Sequence, residues 1–461
     1  MMAWAGTRRE MTDPNRNETA APALLETDVL VIGGGPAGST VSTLLAHRGW
    51  RVTMLEKDAH PRFHIGESLL PMNMPILERL GVLEQVRAIG VLKTGADFPV
   101  GGDPKRINMF RFTRALEPKA DYAFQVRRSE FDQLLFEHAR ANGVDAREQV
   151  RVEALEHDAS GRPSHALARD AAGTTLRIGF RYLVDASGRD TFLGNRLKLK
   201  QRNRRHQSAA LFSHFRGVER RPGEDAGNIT IDRFDHGWYW LIPLRDDIMS
   251  VGAVCSPAYL KQRRGDNTGF LMQTLAARPS VMARMQGAER VAPVHATGNY
   301  SYRCTRMHGP GWLMIGDAYA FIDPIFSSGV FLAMDAGERG AEVVDGALRD
   351  PSREASLQKA MARRAARGLR HFSWFIHRFT TPVMQRLFAT PRNDFQIEQA
   401  VISMLAGDVF DNRPVQLRLY LFRLLYLANA VAIAPQALRG WRERRRRGEG
   451  FTGDTLQEGN P

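Results

Sequence analysis

Two cysteines, Cys255 and Cys304, are all that this 461-residue chain contains, and they lie far apart in sequence. They exclude a disulfide framework and any cysteine-based metal spacing, and they fit a reducing, cytoplasmic setting. Both read as small buried residues. Long apolar runs are also missing. Segment 414–438 comes nearest, but Arg418, Arg423, Asn429 and Pro435 interrupt it, short of the roughly 20 residues a membrane span needs. It reads as an amphipathic helix that packs on the body of the protein or touches a membrane surface or partner. The first 26 residues are polar and lack the apolar core of a secretory signal, so they read as a disordered arm.

Negative charge is in short supply. Lys and Arg outnumber Asp and Glu by 64 to 50, a net charge of +14. Much of the excess falls late, in Arg363, Arg364, Arg367 and Arg370 and in the tail Arg442, Arg444–Arg447. Neither run sits in a nucleic-acid-binding motif, so no nucleic acid partner is expected. The basic tail is either a solvated face or a contact for an acidic protein or a membrane surface.

What the chain does have begins at Thr27. The apolar run 29–32 leads into Gly33-Gly34-Gly35-Pro36-Ala37-Gly38, a helical segment follows over 36–48, and a second apolar run, 51–55, ends in Glu56-Lys57. Gly33 permits the tight turn, Gly35 lets the backbone approach a pyrophosphate, and Gly38 lets helix and strand pack closely. The helix N-terminus offers free N–H groups to phosphate. Glu56 stands at the spacing of a carboxylate that holds the adenosine ribose. This order of strand, glycines, helix, strand and acid predicts a dinucleotide site. By itself it does not choose between FAD and NAD(P).

Residues 237–243 read Gly-Trp-Tyr-Trp-Leu-Ile-Pro. In a strand, Trp238 and Trp240 face the same side. They predict one flat apolar wall, with Pro243 ending the strand or placing it at a sheet edge. Such a wall serves packing or keeps water from a reactive centre. Phe372, Trp374 and Phe375, at helical spacing, read as core.

The order of elements predicts an α/β fold in which the cofactor domain is assembled from separated segments, 27–200 and 296–348, with a small excursion near 95–120. A strand-rich substrate domain fills 201–295, and a helical region with the basic tail spans 349–461.

Several segments together resemble a known family. Gly33–Gly38 with Glu56, Asp185-Ala186-Ser187-Gly188, and Gly316-Asp317 followed by Asp323-Pro324 resemble the FAD fingerprints of p-hydroxybenzoate-hydroxylase-like flavoproteins. Gly66-Glu67-Ser68-Leu69-Leu70-Pro71, Lys93, the Trp238/Trp240 element and Asp323-Pro324-Ile325-Phe326-Ser327-Ser328-Gly329 narrow the likeness to FAD-dependent halogenases, nearest the branch acting on phenolic or pyrrolic groups. The resemblance implies FAD, reduced by a separate flavin reductase, and a halide ion as co-substrate. The lack of a second G-x-G-x-x-G suits that division of labour. It implies an aromatic substrate, free or tethered to a carrier protein, in specialised metabolism.

Residue by residue, the resemblance makes Lys93 the amine that receives hypohalous acid and places Glu67 near Lys93 or the flavin, as an electrostatic partner or a base. Trp238 and Trp240 become a screen between flavin and substrate. Ser328 and Gly329 match the halide-binding segment, where N–H groups at a helix start suit an anion. Gly33, Gly35, Pro36, Ala37, Gly38, Glu56, Lys57, Ser68, Arg128, Asp185, Gly188, Gly316, Asp317, Pro324 and Gly329 are the expected FAD contacts. His64 reads as structural. Two other readings stay open from sequence: a monooxygenase or reductase of this fold without halogen chemistry, and a non-catalytic flavoprotein scaffold.

Overall fold

The computed structural model describes residues 23–446, apart from 102, 204–207 and 299–300, and its side chains as far as residue 432 except those of 104 and 105. The predicted cofactor unit is a six-stranded sheet. Its order is His308–Gly309, Trp312–Met314, Tyr182–Asp185, Val29–Ile32, Val52–Leu55 and Asp145–Arg147. All pairs are parallel except the first, an antiparallel edge. Four strands, Val29–Ile32, Val52–Leu55, Tyr182–Asp185 and Trp312–Met314, are buried along their whole length. A parallel strand covered on both faces has no solvent side and needs no polar alternation. The Pro36–Ala46 helix packs against the long helix Ser328–Arg349 and against Arg128–Ala141. Chain segments nearly 300 residues apart thus share one core.

The arm expected over 1–26 is shorter at its inner end. Ala23–Glu26 is a strand, paired in parallel with Thr175–Gly179 in a separate four-stranded sheet. The rest of that arm lies outside the described residues.

The strand-rich insert is an eight-stranded sheet. Gly95–Val100 and Asp103–Arg111 extend it through parallel pairing with Ile229–Phe234, so the excursion near 95–120 belongs to this sheet. His295–Gly298 also pairs into it, against Ala209–Arg216, so the sheet runs past the expected boundary at 295. The Trp-bearing strand Gly237–Pro243 is central, between Ile229–Phe234 and Ile248–Cys255. Pro243 ends that strand and does not mark an edge: a proline without an N–H is tolerated where the ladder stops. The C-terminal helices cover the sheet. Phe372, Phe375, Phe379 and Phe388 share one buried cluster with Phe98, Phe110, Trp238 and Trp240, as expected for Phe372 and Phe375. Among the described residues no helix is long and apolar enough to cross a membrane.

Candidate active site

A cavity of about 840 Å³ opens at the carboxyl ends of the parallel strands and runs to the inner face of the insert sheet. Ligands of open α/β sheets bind outside the carboxyl ends of the strands, and this volume is that of a large ligand site. Gly33, Gly35, Pro36, Ala37, Glu56 and Lys57 line one end. Glu67, Ser68, Arg128, Gly188, Asp317, Pro324, Ser327 and Gly329 line its course, and Trp238, Trp240 and Ile242 close the far side.

The glycines act as their positions require. Gly33 has φ +104°, and a Cβ there would meet the Ala186 carbonyl oxygen at 2.4 Å. At Gly38 a Cβ would run into the Gly33 carbonyl, so this glycine serves close packing and does not line the cavity. At Gly35 the nearest atom would be 3.6 Å away, on Arg62, leaving the backbone open toward the cavity. Glu56 is buried. One oxygen accepts from Gly34 N at 2.8 Å, and the other from Asp58 N at 3.0 Å. The loop therefore fixes the carboxylate before any ligand arrives. Arg62 lines the same end, its guanidinium paired with Glu56 at 3.4 Å and Asp132 at 3.5 Å, and its buried Nε has no partner among the described residues.

Arg128 opens its helix and is held by Asp132 through Nε at 2.7 Å and Nη2 at 2.9 Å, while Nη1 donates to Ile65 O at 2.7 Å. Beside it, burial pushes the His64 imidazole down to about 4, with the Arg128 charge adding to the effect, so it stays neutral. His64 also lines the cavity. Burial lifts the Asp317 carboxyl to about 6. Asp185 does not line the cavity. It sits beneath the turn, accepting from Ser187 N at 3.0 Å and Leu193 N at 2.7 Å, and shapes the loop that presents Gly188. Gly316 likewise lies outside the lining, adjoining Asp317 in a short 3-10 turn. Lys57 reaches Asp190 in an ion pair at the rim.

These side chains fit a flavin dinucleotide. A glycine-rich helix start and cationic Arg62 suit the pyrophosphate, the ordered Glu56 suits ribose hydroxyls, and an apolar indole face suits an isoalloxazine ring.

The two indoles are not a flat wall. Their ring centroids are 5.7 Å apart at 47° to each other, because strand twist and the Trp240 Nε1 bond to Ser250 Oγ, at 3.1 Å, turn one ring against the other. Gly252 on the next strand makes room for Trp240: a Cβ there would meet the indole at 2.4 Å.

Lys93 does not line the cavity; it lies one residue behind it. Only 1% of it is exposed. Its Nζ donates to Ser68 Oγ at 2.9 Å and to Leu69 O at 2.9 Å, and it stands 5.3 Å from the Phe112 ring centroid. Burial without an acid partner pushes this amine down to about 7. Glu67 points the other way, accepting from His214 Nε2 at 2.8 Å. Lys93 and Glu67, expected near each other or with Glu67 near the flavin, do not bond one another: their partners are Ser68 and His214, and Glu67 lines the cavity. His214 was not legible in sequence; its partner lies 147 residues away.

The turn 323–329 holds the last group. Asp323 accepts from Ile325 N at 3.1 Å. Ser327 adopts φ 55°, ψ 23°, and Ser328 then begins the long helix. A left-handed residue followed by a helical one makes a concave array of N–H groups. The Ser328 hydroxyl is buried with no partner among the described residues, outside the lining proper.

Comparison with known proteins agrees with this geometry. A family model described as an FAD binding domain matches residues 26–370. Tryptophan 2-halogenase from Chondromyces crocatus is 37% identical over 313 residues, covering 67% of this chain and 59% of that protein. The match therefore spans less than two thirds of that relative's length. Flavin-dependent halogenase armH3 from Armillaria mellea is 36% identical over 348 residues, 70% of this chain and 68% of that protein. A 1H-pyrrole-2-carbonyl-peptidyl-carrier-protein brominase from Pseudoalteromonas luteoviolacea is 35% identical over 325 residues, 70% of this chain and 78% of that protein. The solved structure of flavin-dependent brominase Bmp2 superposes with a TM-score of 0.77 at 29% identity, covering 87% of this chain and 99% of that one.

Proposed function

The chain belongs to the flavin-dependent halogenases, within the flavoproteins that share this FAD-binding domain, and from that membership we propose that it forms hypohalous acid and halogenates an aromatic substrate. The observation that carries the reading is Lys93. A buried amine held near pH 7 by desolvation, with no acid to pair it, is an expensive feature for a core and a useful one for chemistry. Reduced FAD, when bound, supplies the oxygen-activating chemistry that oxidises halide.

The remaining work falls to the chain's own side chains. Gly33, Gly35 and the helix start at Pro36 would hold the pyrophosphate, Glu56 the adenosine ribose, and Asp317 and Arg128 the middle of the cofactor. The N–H array at Ser327–Gly329, with the unpartnered Ser328 hydroxyl, would hold the halide. Trp238, Trp240 and Ile242 exclude water and keep substrate from the cofactor. The neutral fraction of Lys93 has a free lone pair. It either accepts a hydrogen bond from hypohalous acid or takes the halogen as an N–halogen bond, releasing water. Glu67 and His214 would steady the segment between cavity and amine.

The substrate would be aromatic, free or tethered to a carrier protein, since the relatives include a tryptophan halogenase and a brominase of a carrier-bound pyrrole. A separate flavin reductase would supply reduced FAD. The basic tail Arg442–Arg447, offered in sequence as a docking element, lies outside the described side chains.

The test mixes the protein carrying anaerobically reduced FAD with oxygen, with and without bromide or chloride, and traps oxidised halogen with an amine scavenger. Haloamine beyond that from free flavin is the expected result. Hydrogen peroxide alone, with substrate present and whatever the halide, would return the reading to a monooxygenase or reductase.

A further inference from the structure

Over residues 415–431 the helix Arg413–Arg446 carries apolar side chains on two opposite faces, and the protein covers only one of them. Val415, Leu419, Phe422 and Tyr426 are buried against the preceding helices. Leu417, Tyr420, Leu424, Leu425, Leu427 and Val431 are exposed, from 43% at Leu425 to 74% at Val431. At 1.5 Å per residue that face runs for about 21 Å. A helix that is apolar all round is normally enclosed, and a patch of this length marks an interaction site. Phe395 adds to it. This residue is 81% exposed, adopts φ 55°, and its carbonyl is held by Arg418 Nε at 3.1 Å. A phenylalanine kept in a left-handed conformation with its ring in water is costly unless something covers the ring.

We propose that this face docks on an anionic lipid surface, lying in the interface without crossing the bilayer. Charge chooses the occupant. Residues 413–442 contain no Asp or Glu, and Arg418 and Arg423 keep their positive charge beside the stripe while bonded to Phe395, Pro414 and Gln396 oxygens and to His371, with no acid among those partners. Arginines flanking an apolar face meet lipid phosphates while the leucines enter the acyl boundary. A second copy fits less well: self-pairing would set arginine against arginine with no acid to answer. A two-stranded seam along 417, 420, 424, 427 and 431 would also leave Leu425 and Phe395 in water. This inference does not depend on the halogenase reading.

The full-length, FAD-loaded protein is floated with vesicles of phosphatidylcholine alone or mixed with phosphatidylglycerol, beside the double substitution Leu424→Ser, Leu427→Ser. Both leucines are largely exposed, and retained FAD binding reports an intact fold. The expected result is flotation with the anionic vesicles, weakened by salt, and about tenfold weaker for the variant. The basic tail is present in both proteins. Equal flotation of the two would assign binding to the tail and overturn the proposal, as would no flotation at all. A light-scattering mass of two chains that drops to one in the variant would name a second copy as the occupant and overturn it as well.

Discussion

Lys93 Nζ donates to Ser68 Oγ at 2.9 Å, and Ser68 lines the cavity that Lys93 itself does not reach. The amine is therefore tied to the cofactor side of the protein through one hydroxyl.

The amine's titration sets the first prediction. Its value falls from 10.5 to about 7 on folding. Between those values the unfolded chain holds a proton that the folded chain lacks, so this group makes stability rise with pH across that window and adds no slope outside it. Lys93→Met removes that slope. Its Tm advantage over the native protein should be largest below pH 7 and shrink toward pH 10. Protein-bound haloamine should rise through about pH 7 in the native protein and be absent in the variant. Parallel Tm curves would show that the amine does not titrate in this window.

Glu67 is buried and takes its hydrogen bond from His214. His214→Ala leaves that carboxylate without a donor and should cost about 1–3 kcal/mol, read as a lower denaturation midpoint. His214→Gln keeps an N–H donor and should recover most of the loss. If both variants unfold alike, the pair contributes little and Glu67 is satisfied by water.

How much of this was legible in the sequence follows from range. The Gly33–Gly38 unit is local, and each glycine's role could be read from its neighbours. Lys93 and Ser328 came from matched motifs, but nothing in sequence spacing showed that Ser68 bonds the lysine or that the serine hydroxyl is left unpartnered. The Trp pair was legible as a same-face pair. Its tilt and its central strand were not, because twist and neighbouring strands are set by residues 229–234 and 248–255. The excursion near 95–120 reads as irregular strands in sequence because the partner of Gly95–Val100 lies more than 100 residues on.

Gly252 offers a test of the indole screen from behind. A methyl group there would lie 2.4 Å from the Trp240 ring and 2.5 Å from Phe212 Cβ. Gly252→Ala should cost about 1–3 kcal/mol through overpacking and push Trp240 toward the cavity. Weaker FAD binding, followed by flavin fluorescence, is expected with the lower Tm. Unchanged FAD affinity would place the relaxation on the Phe212 side, away from the cofactor.

Ser328 separates a halide role from a structural one most cleanly. Its hydroxyl is buried and bonds nothing among the described residues, so Ser328→Ala breaks no hydrogen bond among them. Stability should stay within about 0.5 kcal/mol of native or rise slightly, because an unsatisfied buried hydroxyl is itself costly. The backbone N–H groups at the helix start remain, so anion binding should weaken without vanishing. A hydrogen bond to a charged group contributes about 1.5–3 kcal/mol, which predicts a halide KM about tenfold or more higher. FAD affinity and the Lys93 pH profile should not move. A hydroxyl that merely fills space would leave the halide KM unchanged, and a structural one would lower Tm. Measuring halide KM and Tm on the same preparation therefore distinguishes all three roles.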